Sequence, residues 1–202
     1  MVIENYEKQE WKRKANISLL YLRYFTFTSN ADNRRLLRLY TSWASFKRLN
    51  LEELINNRKI KVVGYSTEKN WLDQLPNKVW LCVLLVNNKP RRYVDEVITK
   101  IIFKDVGFVC TIGNQAELIQ DLVDEEISFR ESEIEEPYLP NHIIITTWHS
   151  DFEKGIWYSL FAADSEEVEI KKVVILDMTD GLEMTRVKAC LEKIREEESG
   201  KE

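Results

Sequence analysis

His149 and Asp151 are the two side chains whose types and spacing most resemble an acid–base pair. Imidazole titrates near neutral pH and a nearby carboxylate can set its tautomer, so His149 could act as a general base oriented by Asp151. Ser150 or Asp151 is also what the following helix needs as an N-cap, since both side chains accept hydrogen bonds from the first backbone N–H groups of a helix. Because two residues do not make a triad, we favour the capping interpretation.

Asp177 and Asp180 form a second pair, in the segment LDMTDG. Hard cations such as Mg²⁺ bind carboxylate oxygens, so the pair could hold a metal ion. Asp, Thr and Gly are equally typical of the turn between a strand and a helix, which explains the same residues without a metal. If the protein is an enzyme, its expected catalytic residues are His149, Asp151, Asp177 and Asp180. We expect instead a protein with no catalytic residues, no metal and no cofactor.

The elements that would position these residues alternate between buried strands and amphipathic helices. From Val79 to about Arg195 a strand pattern followed by a helix pattern occurs four times, and Lys59–Tyr65 precedes them as a first or edge strand. The strand cores are residues 79–86, 107–112, 142–147 and 172–176, with Val83, Cys110, Ile144 and Val174 expected among the least accessible residues. The alternation predicts an α/β fold: a three-layer sandwich, Rossmann-like or flavodoxin-like, with a mainly parallel sheet of four or five strands.

Ligands of parallel sheets bind beyond the carboxyl ends of the strands. Besides the ionisable pairs, the polar and aromatic residues that follow the first three strands are Asn87, Asn88, Asn114 and Trp148. We treat these four as candidate ligand-binding residues. An enzyme or a nucleotide-binding domain is therefore an alternative function.

Several well-known sites are missing from the sequence. No GxGxxG follows the first strand, and neither GxxxxGK[ST] nor GxSxG occurs, so the requirements of dinucleotide binding, P-loop hydrolysis and the nucleophile elbow are unmet. The two histidines are too few for a histidine-rich zinc site. The N-terminus does not resemble a signal peptide and the longest apolar run, Val79–Val86, is too short to cross a bilayer, so we expect a cytoplasmic protein that does not bind membranes.

Charge is distributed unevenly along the chain. Residues 1–61 carry 13 Lys and Arg against 6 Asp and Glu, a net charge of +7, whereas residues 62–202 carry 16 against 28, a net charge of −12. Nine acids and one base, Arg130, lie between Glu117 and Glu136. Such a run is usually a solvated helix face, but it can also dock a basic partner or the protein's own N-terminal region. The residues expected to form a docking surface are Glu131, Glu133, Glu135 and Glu136.

The sequence divides into a basic, aromatic-rich helical extension at residues 1–58, an α/β domain at 59–197 and a frayed tail at 198–202. In the extension, the spacing predicts helices over Ala31–Leu49 and Leu51–Asn56. Aromatic and basic residues interleave in residues 1–61, a mixture that can stack on single-stranded nucleic acid. Aromatics at helical spacing more often form a core, so nucleic acid is the less favoured partner.

The segment HIIITTWHSD, residues 142–151, is followed by a helix that carries Trp157, Tyr158 and Phe161, and it resembles a motif of small uncharacterised bacterial α/β domains. The resemblance covers about residues 79–180 and brings no catalytic residues with it. Some of those proteins are thought to be immunity-like or antitoxin-like. The resemblance therefore implies a bacterial cytosolic protein of unassigned activity and favours an interaction role only slightly.

These observations favour a non-catalytic protein-binding module, immunity-like or antitoxin-like, whose acidic surface binds a protein with a basic surface. Charge complementarity speeds association and distinguishes between partners. The alternatives are an enzyme or nucleotide-binding domain with a site at the strand ends, and a nucleic-acid-binding protein that uses residues 1–61. The sequence leaves the oligomeric state open.

Overall fold

Strands and helices alternate through residues 53–133 and 138–199, the parts of the chain that the computed structural model describes. The strands are β1 Glu53–Ile55, β2 Arg58–Gly64, β3 Trp80–Leu85, β4 Val106–Ile112, β5 Ile145–His149 and β6 Lys172–Asp177. The helices are α1 Arg91–Phe103, α2 Ala116–Glu133, α3 Phe152–Phe161 and α4 Met184–Ser199, with one short 3-10 helix at Leu72–Gln74. The predicted helix over Ala31–Leu49 and the end of the predicted tail, residues 200–202, lie outside the described residues.

The six strands form one mostly parallel sheet in the order β1-β2-β6-β3-β4-β5. Among the strands of the described residues, only β1 is antiparallel to its neighbour. The chain steps outward from β3 to β4 to β5 and then returns across the sheet to place β6 between β2 and β3. Counted in chain order, the parallel strands run 1-5-2-3-4, which differs from the flavodoxin order 2-1-3-4-5. The α/β architecture with a mostly parallel sheet is thus the predicted one, but within the described part of the chain the sheet has six strands instead of the predicted four or five, because Glu53–Ile55 adds an antiparallel edge strand. The sequence left the strand order open.

Residues 53–55 form a strand where the sequence predicts part of a helix over Leu51–Asn56. Asn56 and Asn57 both have positive φ angles, 49° and 58°, which is the backbone of a two-residue hairpin turn. That turn pairs Ile55 with Arg58 and starts the antiparallel ladder between β1 and β2. Asparagine suits both a helix cap and a left-handed turn, and here the turn prevails because it adds β1 to the edge of the sheet.

Two apolar cores cover the two faces of the sheet. Alternate residues of β3 point to opposite sides, with Leu81, Val83 and Leu85 in one core and Trp80, Cys82 and Leu84 in the other. Helices α3 and α4 pack in the first core, and α1, α2 and the Leu72–Gln74 segment in the second. Because β3 is covered on both sides, all six of its residues are buried, as a central parallel strand requires.

The predicted burial is correct for three of the four marker residues. Val83, Cys110 and Val174 are at most 1% exposed, whereas Ile144 is only partly buried. The third of the four predicted strands, β5, begins at Ile145 instead of the predicted residue 142, and the backbone N–H of Ile143 just before it donates to the Glu167 carboxylate at 2.9 Å. As β5 is an edge strand, Ile144 lacks the cover that central strands receive.

None of the helices in the described residues combines the length and apolar character that a membrane crossing requires. The three cysteines are free thiols and all are buried. Burial raises the pKa of the Cys82 and Cys110 thiols, so both stay protonated and behave as small apolar side chains.

Candidate functional site

A cleft opens at the carboxyl edge of the sheet, where neighbouring strands send their connections to opposite faces. The chain leaves β4 toward α2 on one face and leaves β5 toward α3 on the other. Such a divergence is where ligands bind in parallel α/β sheets. The cleft, called here the strand-end cleft, has a volume of about 380 Å³ and is lined by the ends of β3, β4 and β5 and by residues at the start of α2, α3 and α4.

The three asparagines singled out from the sequence meet at this edge. The side-chain carbonyl of Asn87 accepts a hydrogen bond from the backbone N–H of Asn114 at 3.0 Å. The Asn114 side-chain amide donates in turn to Oδ1 of Asn88 at 3.2 Å. The Asn87 amide also donates to Oε1 of Glu183 at 3.3 Å, so one hydrogen-bonded network joins the loops that follow β3, β4 and β6.

Gly113 holds the strand ends of this network together. Its φ of 130° is a conformation that residues with a side chain rarely adopt, and a Cβ atom there would lie 2.1 Å from the carbonyl oxygen of Val86. Only glycine lets the β4 exit approach the β3 exit so closely. This approach places Asn114 within reach of Asn87 and Asn88.

Trp148, the remaining candidate ligand-binding residue, also lines the strand-end cleft, with 42% of its surface exposed. The cleft includes further residues that the sequence analysis did not assign to a ligand site: Glu117, Ser150, Phe152, Glu183 and Arg186. The strand-end rule could have found Ser150 and Phe152, since they follow β5 directly. Glu183 and Arg186 could be placed only once β6 was known to lie beside β3.

His149 and Asp151 do not form a pair. The Asp151 carboxylate accepts the backbone N–H of Lys154 at 3.0 Å and caps α3, which lowers the pKa of Asp151. His149 is the last residue of β5, and its ring lies 4.8 Å from the ring of Tyr158 beneath α3. Its Nε2 is buried and has no hydrogen-bond partner among the described residues. Burial lowers the pKa of His149, and the Asp151 charge opposes that shift.

Asp177 and Asp180 also have separate roles. The Asp177 carboxylate accepts the N–H and O–H of Thr179 at 2.8 and 2.5 Å through Oδ1, and the N–H of Gly181 at 2.9 Å through Oδ2. Asp180 forms an ion pair with Lys89 at 2.7 Å. Within the described residues no group of three or more His, Cys, Asp or Glu side chains is arranged to hold a metal ion. The LDMTDG segment therefore has the contacts of a turn.

Helix α2 carries most of the acidic run. Glu131 and Glu133 are exposed at its end, whereas Glu135 and Glu136 lie outside the described residues. Two α2 carboxylates are paired, Glu126 with Arg130 at 2.8 Å and Glu125 with Arg91 at 3.4 Å. The other acidic residues of the helix form no ion pair within the described residues: Glu117, Asp121, Asp124, Glu131 and Glu133.

A groove of about 310 Å³ runs between α1 and α2, and the α2 carboxylates that line it are the two paired ones, Glu125 and Glu126. Its apolar wall is formed by Ile98 and Leu122, together with Phe129, half of whose surface is exposed. The charged residues that line it are Arg91, Asp95, Glu125 and Glu126. This feature, called here the α1–α2 groove, places an exposed aromatic side chain beside carboxylates and was not anticipated from the sequence.

These features define the class of the protein: an α/β protein with a mostly parallel sheet, a cleft at the strand ends and an acidic helix on one face. Residues 60–194 match the family described as a domain of unknown function, DUF7684, and the chain belongs to that family. Comparison with curated proteins and with solved structures found no match.

Proposed function

We propose that this protein is a non-catalytic binding module of the bacterial cytoplasm that holds a basic protein partner on the outer face of α2. The observation that carries the proposal is the combination of unpaired carboxylates along α2 with an apolar groove at its side. Charge alone would fit a solvated helix face. The adjacent groove adds a place where a partner can bury apolar surface.

The acidic side chains would act mainly on the rate and selectivity of association. Seven acids and one base lie on the 18 residues of α2, and only two of those acids are paired with a cation in the described residues. A field of one sign attracts a partner of opposite sign over distances of about a Debye length, roughly 8 Å at physiological salt. It also disfavours acidic competitors, which would face repulsion at the same surface.

The α1–α2 groove would supply the stable contact. Phe129 is half exposed at the groove, and an aromatic side chain in such a place is typical of the residues that dominate binding energy in protein interfaces. Because the groove lies between two helices and has acidic residues along it, a basic amphipathic helix fits its chemistry. The apolar side of such a helix would contact mainly Phe129, since Ile98 and Leu122 are only 2% and 8% exposed.

The contacts of the two candidate catalytic pairs support a binding role over catalysis. Asp151 is used as an N-cap and Asp177 as the centre of a turn, and His149 is packed against Tyr158. An immunity-like or antitoxin-like role is consistent with this picture, because such a protein blocks a partner by covering its surface and needs no chemistry of its own.

Affinity capture with charge-reversed variants tests the proposal. We expect the wild-type protein to retain a basic partner, identified by mass spectrometry, that the double variant Glu131→Lys, Glu133→Lys retains weakly. A matched control reverses two exposed acids on α4, Glu192→Lys and Glu196→Lys, and should capture the partner as the wild type does. With purified components, the association rate should fall as salt is added, and the α2 variant should lose most of that dependence.

Phe129→Ala tests the groove independently of charge. We expect the variant to dissociate from the same partner at least about tenfold faster, because truncated anchor residues act mainly on the dissociation rate. A partner that binds the α2 variants and Phe129→Ala as it binds the wild type would contradict the proposed surface.

A further inference from the structure

We propose that the strand-end cleft is a binding site for a small organic cation, an amine with an apolar body. Of the unpaired carboxylates on α2 only Glu117 lines this site, so it can be tested separately from the protein-binding surface proposed for α2. Two independent observations place a ligand here: the cleft itself, and its position where the connections of β4 and β5 diverge. Its volume of about 380 Å³ lies in the range of small-molecule pockets.

The charges along the cleft favour a cation. Two carboxylates, Glu117 and Glu183, and one guanidinium, Arg186, line it. Arg186 already lies 3.9 Å from Glu183 and stacks 4.3 Å from the centre of the Phe152 ring. Glu117 has no ion-pair partner within the described residues. A ligand with a positive charge would compensate Glu117, the carboxylate of the cleft that has no ion-pair partner within the described residues, whereas an anionic ligand would leave it uncompensated.

The aromatic residues point to the same chemistry. Trp148 presents 42% of its surface and has no cation over its ring within the described residues. Tryptophan is the aromatic side chain that attracts cations most strongly, and aromatic side chains are used to bind quaternary ammonium ligands. Leu85, Ile112 and Ala116 also line the cleft but are at most 2% exposed, so the apolar body of the ligand would contact mainly Trp148.

The polar residues of the cleft are already held in place. Asn87 contacts Asn114 through its carbonyl and Glu183 through its amide, which fixes the Glu183 carboxylate toward the cleft. A site whose polar groups are oriented before binding pays less conformational entropy when the ligand arrives. Gly113 maintains this arrangement because no other residue allows the two strand exits to come so close.

Three molecules that share a phenyl ring on a short chain but differ in the charge of the end group test the inference: phenethylamine, 2-phenylethanol and phenylacetate. Each is titrated into the full-length, ¹⁵N-labelled protein and followed by NMR. We expect phenethylamine to shift the Trp148 indole N–H and the Gly113 and Asn114 amide signals, with the alcohol weaker and the anion weakest. Agmatine, a cation with an aliphatic body, should shift the same signals.

Substitutions separate the cleft from other acidic parts of the protein. Glu117→Gln should weaken phenethylamine binding by at least about fivefold, and Trp148→Leu by a similar factor. Glu131→Gln, on the same helix but outside the cleft, should leave phenethylamine binding unchanged. Because Glu131 belongs to the protein-binding surface proposed for α2, this control also lets the two proposals fail separately. Equal binding of all three molecules, stronger binding of the anion, shifts away from the cleft, or binding of neither amine would overturn the inference.

Discussion

Arg58 on β2 donates a hydrogen bond from its guanidinium to the carbonyl oxygen of Ser159 in the last turn of α3, at 2.8 Å and across 101 positions of the sequence. A second donation reaches the carbonyl of Ala163 at 2.6 Å. The last carbonyl groups of a helix have no partner within the helix, so an outside donor there replaces the water that burial removes. One buried side chain thus connects β2, the strand next to the sheet edge, to the end of α3.

Arg58→Met should destabilise the protein by about 2 to 4 kcal/mol, because two buried carbonyl groups lose their donors while the apolar packing is retained. Arg58→Lys, which can reach one carbonyl, should lose less. Urea unfolding followed by circular dichroism measures both changes. A loss below about 0.5 kcal/mol for the methionine variant would mean that water satisfies these carbonyl groups without cost.

Gly113→Ala should be much more damaging than a glycine substitution elsewhere. The added methyl group would lie 2.1 Å from the Val86 carbonyl and the residue would keep a φ of 130°, so we expect a loss of at least about 3 kcal/mol. Gly181→Ala is the matched control, since its φ is 85° but its nearest neighbour is Met184 at 4.0 Å. That variant should lose about 1 kcal/mol, from backbone strain alone. Similar losses in the two variants would contradict the close approach of β3 and β4.

Stability should fall as the solution is acidified from pH 7.5 to 5.5. The pKa of His149 is lowered in the folded protein, so the unfolded chain takes up a proton first, near its ordinary pKa of about 6.5. The stability contributed by neutral His149 is complete above that value and is lost as the pH drops below it. The lowered pKa of Asp151 acts in a more acidic window, below its ordinary carboxyl range, and does not contribute here.

His149→Gln tests this assignment, because glutamine keeps a polar side chain but cannot titrate. The free energy of unfolding of the variant should change less than that of the wild type between the two pH values. An equal decline in the two proteins would assign the pH dependence to other groups.

Asp177→Ala should destabilise the protein by about 2 to 3 kcal/mol, since the carboxylate accepts three hydrogen bonds from Thr179 and Gly181. Addition of Mg²⁺ should leave the melting temperature of the wild-type protein unchanged, because both oxygens are already occupied. A rise in melting temperature with Mg²⁺ that disappears in the variant would restore the metal interpretation of this segment.

The central strands and their helices could be predicted from the sequence because their signals are strong and local. Strands such as β3 are apolar at every position, which only a strand covered on both faces requires. The stripe of apolar residues on α1 recurs at helical spacing and is buried as that spacing predicts. These patterns belong to short segments, so they can be recognised without knowing what the segments contact.

The bounds of the two edge strands, β1 and β5, could not be predicted in the same way, because they depend on contacts between residues that are distant in the sequence. The pattern of HIIITT suits a strand from residue 142, but β5 begins only at Ile145; before it, the N–H of Ile143 donates to Glu167 and the His142 ring contacts the carbonyl of Val106. At the other edge, Asn56 and Asn57 could begin a turn or border a helix, and pairing with β2 selected the turn. Edge strands receive fewer contacts, so single distant interactions can shift their ends.

The sequence by itself determined that polar residues follow the strands, and hence that Asn87, Asn88, Asn114 and Trp148 lie at one edge of a parallel sheet. Only the tertiary structure decided that Asn87 contacts Glu183, that Arg186 stacks on Phe152, and that Glu117 remains without a partner among the described residues. The reason is the strand order. Because β6 returns to lie beside β3, residues nearly 100 positions apart share one cleft, and no local pattern of residues encodes that return.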